Sequence, residues 1–523
     1  MTVCNMDLIF SVDKISPIYS VAILGFAIFI SIFFGLSRRK GIKIFIISLF
    51  ALSILSAMIM NFYVFKITGV YSNSLFNFGL LEMIEIGVFL FGTLNILLFI
   101  SISNIESSHF VKILMLFLFS VCCIIFLIIS RNFIVIFLSL CLSTISVFQL
   151  ISSLNNNIIS ARRYILKFFL RSSLAVILVF FGFSLIYGAT DFKSFMQIFE
   201  SDAISNPLIA AGVLFFGIAV YLFLFIFPFQ GPYLKLARRC ENSSLPVIWF
   251  LYFPIGIFLF LKLDNIIFYF LDNNGSYMSI LFIILAFGCI LGGNIGAVKT
   301  TSLRRILSFI FLVFIGLVLL NYAMCSTGLI GRDRVDWLNT INLILLLLSF
   351  LPIYSVLSII EKKFKNDSLS NIRGFARTNK YFGVNIVIII LSLCGFIGTI
   401  GFLSRFYYLE PFISYAAGSE VIKLDLANIF ILILITVAFI FLVVNMLRII
   451  ILLFKSNQGK YLSEDKSYTG RNESRITFPR FYYIYITFFT LIIVISGIIG
   501  LLEILNIDIG FLNFQITDFN LSD

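Results

Sequence analysis

YFGVNIVIIILSLCGFIGTIGFLSRFYYL, residues 381–409, is an apolar run of 29 residues in which Arg405 is the only charged side chain. A helix needs about 20 apolar residues to cross a bilayer, so this run is long enough to span one. Gly395, Gly398 and Gly401 recur at intervals of three in its middle. Because glycine weakens a helix interior, the run predicts a transmembrane helix that is interrupted halfway, with a cation just beyond the interruption.

The composition of the whole chain agrees with that interpretation. Of its 523 residues, 61% are hydrophobic and only 12% are charged, and the mean hydropathy is +1.10. Soluble domains are roughly 45–50% apolar and about 25% charged. Too few charged residues remain to cover several soluble domains, which excludes a soluble multidomain enzyme, a disordered protein and a disulfide-stapled secreted fold. We therefore expect an all-α polytopic membrane protein, because lipid offers open backbone groups no hydrogen-bonding partner.

Fourteen apolar runs are long enough to be transmembrane spans. They cover residues 15–37, 44–65, 83–105, 110–130, 132–153, 165–189, 206–229, 244–262, 276–298, 303–325, 338–360, 381–409, 426–450 and 481–503. Only the loops 361–380 and 451–480 are long, polar and charged. The runs predict an N-terminal three-helix segment (1–105), a core (106–450), and a C-terminal part (451–523) with a basic loop and one span.

A second span carries helix breakers. Span 7 contains Pro228 near its end, and Gly231 and Pro232 follow. Proline removes a helical hydrogen bond and clashes with the preceding turn, so span 7 is predicted to be broken like span 12. Broken helices five spans apart predict two inverted five-helix repeats, spans 4–8 and 9–13, as in ion-handling membrane proteins. Glycine is common in transmembrane helices, so the glycines of span 12 alone do not require a repeat.

Lysine and arginine are distributed unevenly between the two sides of the membrane. Loops on the side of the first loop, called side A here, hold 26 of the 37 Lys and Arg residues, whereas side B holds eight. Positive loops stay inside, so side A is predicted to be the cytoplasm, or the matrix of a mitochondrion, with both termini on side B. The formal charge of +12 then reflects membrane orientation, and no nucleic-acid partner is expected.

Cysteine and histidine give no pattern of metal ligands. The eight cysteines contain no C-x-x-C motif, most of them lie inside apolar runs, and His109 is the only histidine. A free cysteine in such a run behaves as a small hydrophobic side chain. No metal or haem site is therefore predicted.

Five stretches, taken in order, carry a resemblance to a known family. They are RNFIVIFLSLCLSTISVF (131–148), RYILKFFLRSSLAVILVFFGFSLIYGATDF (163–192), the segment 228–251 that begins PFQ and ends ENSSLPVIWFL, GNIGAVKTTSLRRILSFIFLVFIGLVLL (293–320) and SLCGFIGTIGFLSRFY (392–407). Their order and spacing resemble the antiporter-like membrane subunits of respiratory complex I over about residues 100–450. Each stretch is degenerate alone, whereas five in order within fourteen spans are fairly specific. The basic Arg405 in GFLSRFY and the length of 523 residues favour the subunit 2 type of NADH dehydrogenase over the subunit 4 and 5 types.

The resemblance implies a membrane-arm subunit of NADH:ubiquinone oxidoreductase in the mitochondrial inner membrane, with both termini in the intermembrane space and the basic loops in the matrix. Such a subunit binds no redox cofactor of its own, since NADH, FMN, iron–sulfur clusters and quinone belong to other subunits; bound lipids are expected. The implied partners are the subunit 4 and subunit 4L types and accessory subunits. Three alternatives stay open: a subunit 4 or 5 type, a subunit of a multi-subunit cation/proton antiporter that still conducts protons, or an unrelated transporter.

The resemblance also implies where a proton path would run. The family typically has a glutamate in helix 5, lysines in helices 6, 7, 8 and 12, and histidines after the proline of helix 7 and in helix 10. Placed by motif, the glutamate position falls on Cys141. The four lysine positions fall on Arg163, on Phe223, on Gly256 or a neighbour, and on Arg405, and the two histidine positions fall on Gln230 and Phe314.

No shift of register restores the missing groups. Residues 132–161, 203–234, 242–261 and 306–331 contain no Asp, Glu, Lys, Arg or His. Arg163 and Arg405 keep a charge, but arginine does not deprotonate in proteins. The resulting hypothesis is a structural descendant that no longer carries protons by the lysine route. The alternative is that water and other groups replace that route.

Three basic residues of span 6 share one helix face. Arg163, Lys167 and Arg171 stand at positions i, i+4 and i+8, which places them above one another. The favoured interpretation is that the first two reach the membrane interface with their charged ends. Arg171 lies about two turns deeper and needs a protein partner or a lipid head group. Trp249 and Trp337 are interpreted as aromatic residues of the membrane interface.

Overall fold

The computed structural model describes residues 19–34, 40–68, 71–72, 77–78, 80–104, 110–155, 159–190, 207–240, 244–262, 264–364, 373–416, 426–455 and 480–504. Each of the fourteen predicted spans falls on an α-helix there; ten helices are long and apolar enough to cross a membrane, and four more apolar helices are shorter. The predicted class, an all-α polytopic membrane protein, is confirmed. His109 and most of the two long basic loops lie outside the described residues.

The helices form two compact units, residues 1–332 and 333–523. In the first unit, the helices are α1 (Tyr19–Phe34), α2 (Lys40–Thr68), α3 (Leu80–Asn104), α4 (Phe110–Ile129), α5 (Phe133–Leu154), α6 (Ile159–Thr190), α7 (Pro207–Phe223), α8 (Gly231–Arg239), α9 (Ser244–Val247), α10 (Phe253–Lys262), α11 (Asp264–Lys299) and α12 (Leu303–Ser326). A π-helical turn, Ile248–Tyr252, continues α9 into α10. A two-residue pairing of β1 (Tyr71–Ser72) with β2 (Asn77–Phe78) lies between α2 and α3; it is too short for an alternating pattern to predict.

The second unit begins with α13. Its helices are α13 (Arg332–Phe364), α14 (Phe375–Thr378), α15 (Lys380–Cys394), α16 (Ile400–Ala416), α17 (Leu426–Phe454) and α18 (Arg480–Ile504). The predicted division at residues 105 and 450 and the predicted inverted symmetry both stay predictions.

Spans 8 and 10 form the inside of the first unit. In an apolar stretch of 18 residues within each of them, 89% of the residues are buried, whereas 39% are buried in such a stretch of span 6. A helix that is apolar all round is expected in such a position. Any chemistry on span 8 or span 10 is therefore shielded from lipid by the surrounding helices.

Span 7 is interrupted where its sequence predicts. Helix α7 ends at Phe223 and α8 begins at Gly231, with Pro228 between them. Two backbone hydrogen bonds order the turn. The amide of Ile226 donates to the carbonyl of Tyr221 at 3.4 Å, and the amide of Phe229 donates to the carbonyl of Ile226 at 2.8 Å.

Span 12 is interrupted by its glycines. Helix α15 ends at Cys394, and Gly395 and Gly398 follow with φ angles of +85° and +84°. Side chains with a Cβ rarely adopt such angles. The amide of Phe396 donates back to the carbonyl of Leu391 at 3.1 Å, which is the closing bond of a Schellman motif. Helix α16 then starts at Ile400.

Two further glycines allow backbones to meet around that interruption. A Cβ built on Gly401 would overlap the carbonyl oxygen of Ser392, and a Cβ on Gly497 of α18 would overlap the backbone of Thr399. Small residues let transmembrane helices approach closely. Gly497 therefore holds α18 directly against the interruption of span 12.

Candidate functional site

Two positions of the implied proton path lie against each other in the first unit. A Cβ built on Gly256 would lie 3.1 Å from Cβ of Phe223 and 2.9 Å from Cδ2 of Leu224. Both Phe223 and Leu224 are buried. Neighbouring side chains thus fill the space next to Gly256, and a larger residue there needs them to move.

Aromatic rings surround this contact. The ring of Phe223 lies 6.0 Å from that of Tyr252, and Tyr252 lies 4.4 Å from Phe168 and 5.8 Å from Phe225, measured between ring centroids. Ring pairs at such separations attract beyond their buried area. An aromatic core thus occupies the place where the resemblance puts the central lysine.

Trp249 belongs to the same core, and its assignment to the membrane interface was wrong. It is 1% exposed, and its Nε1 donates to the hydroxyl of Tyr233 at 2.6 Å. The Tyr233 hydroxyl in turn donates to the carbonyl of Ser308 at 3.4 Å. The buried indole N–H and the tyrosine hydroxyl satisfy each other, which removes the need for interfacial water. Trp337, the other tryptophan interpreted as an interface residue, is 43% exposed.

Arg171 meets the interruption of span 7. Its Nη1 donates to the carbonyl of Phe229 at 2.7 Å, and its guanidinium lies 4.7 Å from the ring of Phe229 and 5.3 Å from that of Phe225. A carbonyl inside a broken helix has no helical donor, and the arginine supplies one. The cation–π contacts with the two rings add to this attraction.

The other two basic residues of the span 6 face stay at its start. Arg163 and Lys167 are exposed, and Arg163 lies about 12 Å along the helix from Arg171 at 1.5 Å per residue. Motif matching assigned the helix 6 position to Arg163, whereas Arg171 is the residue of this face that contacts the broken helix.

The remaining positions of the first unit are dispersed. Cys141 lies half-buried on α5, and Phe314 is buried on α12. Gln230 precedes α8, its amide nitrogen faces Gly292, and its buried Oε1 has no hydrogen-bond partner among the described residues. None of the contacts described for these three residues involves Phe223 or Gly256.

Arg405 is the buried cation of the second unit. It is 6% exposed, its Nη2 donates to the carbonyl of Leu393 at 3.1 Å, and its guanidinium lies 4.6 Å from the ring of Phe439. A Cβ on Gly395 would lie 2.5 Å from Cγ of Arg405, so the glycine makes room for the arginine stem. A cation beside the carboxyl end of α15 also suits the helix dipole.

A buried hydrogen-bond chain continues from Arg405, and no motif or spacing in the sequence predicts it. Nη1 of Arg405 is 3.4 Å from Oγ of Ser404, which donates to Oδ1 of Asn342 at 2.9 Å; Nδ2 of Asn342 donates to the hydroxyl of Tyr408 at 2.7 Å. Asn342 lies on α13, so its place beside α16 depends on tertiary packing. Serine, asparagine, tyrosine and arginine do not change charge near neutral pH, so this chain can hold and orient a fixed charge.

Among the described residues, no three side chains of His, Cys, Asp or Glu lie together in a way that could hold a metal ion.

Comparisons with known proteins agree with this architecture. A family model described as "NADH:quinone oxidoreductase/Mrp antiporter, TM" matches residues 130–422. The chain is 25% identical over 255 residues to an NADH-quinone oxidoreductase subunit N from Ruthia magnifica subsp. Calyptogena magnifica; that match covers 48% of this chain and 51% of the relative. The match thus spans about half the length of this curated relative.

Solved structures share the fold over almost the whole chain. A chain of respiratory complex I from Thermus thermophilus, solved with bound aureothin, has a TM-score of 0.67 at 15% identity, covering 92% of this chain and 98% of that one. A chain of the Mrp complex from Dietzia sp. DQ12-45-1b has a TM-score of 0.74 at 14% identity, covering 94% and 96%. A chain of the membrane-bound sulfane sulfur reductase, an archaeal respiratory membrane complex, has a TM-score of 0.73 at 14% identity, covering 92% and 94%. With the family model matching more than half of its length, the chain belongs to the NADH:quinone oxidoreductase/Mrp antiporter transmembrane family, as an antiporter-like membrane subunit.

Proposed function

We propose that the chain is the subunit 2 type of respiratory complex I and links neighbouring membrane subunits without passing protons by the glutamate–lysine route. The ordered stretches between residues 131 and 407 support the subunit type. The uneven distribution of Lys and Arg supports a mitochondrial inner-membrane orientation with the basic loops in the matrix. Redox cofactors stay in other subunits under this proposal, and subunit 4 and subunit 4L types are the neighbours.

The packing of Phe223 against Gly256 is the observation that carries the loss of the lysine route. A proton crossing at this depth needs a titratable group or water in the bilayer interior. Here an apolar ring occupies one lysine position, and at the other a side chain would have to displace Leu224 and press against Phe223. A buried lysine suits proton transfer because burial lowers its pKa. Neither Phe223 nor Gly256 has a side chain that titrates.

The two buried or half-buried arginines, Arg405 and Arg171, support the same proposal by a separate observation. Arg405 and Arg171 both bind a carbonyl of an interrupted helix. Since arginine stays protonated, each position carries a constant charge, where a lysine would alternate between two states. In the proposed function these charges stabilise the interruptions.

Proton stoichiometry tests the proposal in the assembled complex. Inverted membrane vesicles carrying Phe223→Leu or Cys141→Ser are compared with wild type for protons taken up per NADH oxidised, at matched amounts of assembled complex. We expect the ratio to be unchanged in both variants, as in the lipid-facing control Phe180→Leu, whose ring is 55% exposed. A lower ratio with normal NADH oxidation in either variant, but not in the control, contradicts the proposal.

A native gel separates the proposal from the alternative assignments. The proposed subunit comigrates with NADH dehydrogenase activity, whereas a subunit of a cation/proton antiporter runs in a complex without it. For the location, a tag at the carboxyl end is expected to be cut by protease added to the intermembrane-space side of intact inner membranes. Cutting only after the membranes are opened contradicts the proposed orientation.

A further inference from the structure

A groove runs between α15 and α18 in the second unit. Its volume is about 650 Å³, and its walls are mainly apolar, with Val384 and Ile388 on one helix and Leu491 and Val494 on the other. Val384 is 57% and Leu491 59% exposed, so the groove opens towards the surface of this unit.

The groove is polar at one end only. Lys380 and Tyr381 line it at the start of α15, and the apolar residues follow over the next eight positions, about 12 Å along the helix. Lys380 is exposed and makes no ion pair within the described part of the chain. In the predicted orientation, α15 and α18 both begin on side A, the positively charged side, which places the lysine at the level of that membrane surface.

The polar groups inside the groove are already satisfied. Oγ1 of Thr490 donates to Oδ1 of Asn385 at 2.8 Å, and Nδ2 of Asn385 donates to the carbonyl of Tyr381 at 2.9 Å. The first of these bonds joins the two helices, and the second lies within α15. A molecule in the groove therefore meets hydrocarbon beyond the lysine end.

Ring contacts join the two helices at the lysine end of the groove. The rings of Tyr381 and Phe382 on α15 lie 5.3 and 4.5 Å from that of Tyr483 on α18. Near its far end, α18 meets the interruption of span 12, where a Cβ on Gly497 would overlap the backbone of Thr399. These contacts fix α18 beside span 12 at both ends of the groove.

We propose that this groove binds one anionic phospholipid of the side A leaflet, with its phosphate at Lys380 and one acyl chain between Val384 and Leu491. The charge at the mouth and the apolar length behind it match the two parts of such a lipid. Basic pockets between transmembrane helices on this side of a membrane hold anionic head groups, and one lysine contributes about 1 kcal/mol. The proposal depends on the orientation of the chain and not on the fate of the proton route.

Photo-crosslinking in the intact assembly tests this site. The purified complex is placed in nanodiscs with phosphatidylglycerol or phosphatidylcholine probes that carry a diazirine in the acyl chain, and labelled peptides are mapped by mass spectrometry. We expect the phosphatidylglycerol probe to label the peptides around Val384 and Leu491, and unlabelled phosphatidylglycerol to compete better than phosphatidylcholine. Lys380→Gln should lower the labelling about fivefold, which corresponds to ~1 kcal/mol.

Two variants make the outcome decisive. Lys167→Gln removes an exposed lysine of side A elsewhere and is expected to leave labelling of the groove unchanged. Val384→Trp narrows the groove and should lower labelling by both probes. Equal labelling by the two probes, no effect of Lys380→Gln, or no lipid label on the peptides around Val384 and Leu491 each overturn the proposal.

Discussion

The guanidinium of Arg405 donates a hydrogen bond of 3.1 Å to the carbonyl of Leu393, across the interruption of the helix that contains both residues. Arg171 makes the equivalent contact in the other unit, with 2.7 Å from its Nη1 to the carbonyl of Phe229. An interrupted helix inside a bilayer must satisfy its open carbonyls within the protein. In this chain an arginine does so at each of the two interruptions, and the stability of these turns should depend on it.

Replacing Arg405 tests the first of these contacts. Arg405→Gln leaves the carbonyl of Leu393 buried without its donor, which should cost about 1–3 kcal/mol and lower the thermal stability of the chain in its complex. Arg405→Lys keeps the charge with a less suitable donor geometry, so a smaller loss is expected. The measurement is the temperature at which the chain leaves the detergent-solubilised complex.

Arg334→Gln is the matched control for that experiment. Arg334 forms a 3.7 Å ion pair with Glu410, and its side chain is 57% exposed. Exposed ion pairs contribute little, so almost no change is expected. Equal losses for Arg334→Gln and Arg405→Gln would mean that burial of the Arg405 contact has no energetic importance.

Replacing Arg171 should destabilise span 7 in a similar way. Arg171→Gln removes the donor to Phe229 and the stacking on two rings, so we expect greater protease cleavage between α7 and α8 in membranes. Lys167→Gln changes an exposed residue one turn earlier on the same helix and should not change the cleavage. Identical cleavage of the two variants contradicts the role given to Arg171.

The contact at Gly256 should be sensitive to a single methyl group. Gly256→Ala brings its Cβ to 2.9 Å from Leu224 Cδ2, and overpacking of this kind typically costs about 1–3 kcal/mol. Leu224→Ala alone leaves a cavity and should also destabilise. In the double variant the new space accepts the methyl group, so the loss should be smaller than the sum of the two single losses.

A helix position with free space provides the comparison. A Cβ on Gly217 meets no atom within 4 Å, so Gly217→Ala should be neutral or slightly stabilising. Unfolding of the solubilised complex, followed by tryptophan fluorescence, compares all four variants. Additive losses for the Gly256 and Leu224 substitutions would show that the two residues are not packed as described.

Gly401→Ala should disrupt the interruption of span 12. Its Cβ would overlap the carbonyl oxygen of Ser392, and a backbone atom cannot move away as a flexible side chain can. We expect strongly reduced assembly on a native gel, whereas Gly25→Ala in α1, where no atom lies within 4 Å, should assemble normally. Normal assembly of Gly401→Ala would mean that the two halves of span 12 do not meet at this glycine.

The fold could be predicted from the sequence because its signals are local. Apolar runs set the fourteen spans, and Pro228 and Gly395 mark interruptions that the structure contains. The length of α11 was underestimated, since residues 264–275 are polar enough to resemble a loop but continue the helix. The small β pairing between residues 71 and 78 left no pattern at all.

The site was less predictable, because it depends on contacts between helices distant in sequence. Motif matching found the positions of Phe223 and Gly256 but not that they touch. Trp249 was predicted to lie at the membrane interface because tryptophan is common there. In the structure its indole N–H is instead paired with Tyr233 inside the unit. The partner of Asn342 is 66 residues away at Tyr408, and no local spacing indicates such a pair.

A structure of the intact assembly that resolves bound water, examined along spans 5, 7, 8 and 12, tests the central claim most directly. The account predicts that ordered water stops on either side of Phe223 and Gly256, and that Arg405 contacts the carbonyl of Leu393 with no Asp, Glu, Lys or His side chain beside it. A continuous file of water past Phe223 that includes a titratable side chain would contradict the account, because a proton route would then survive with different residues.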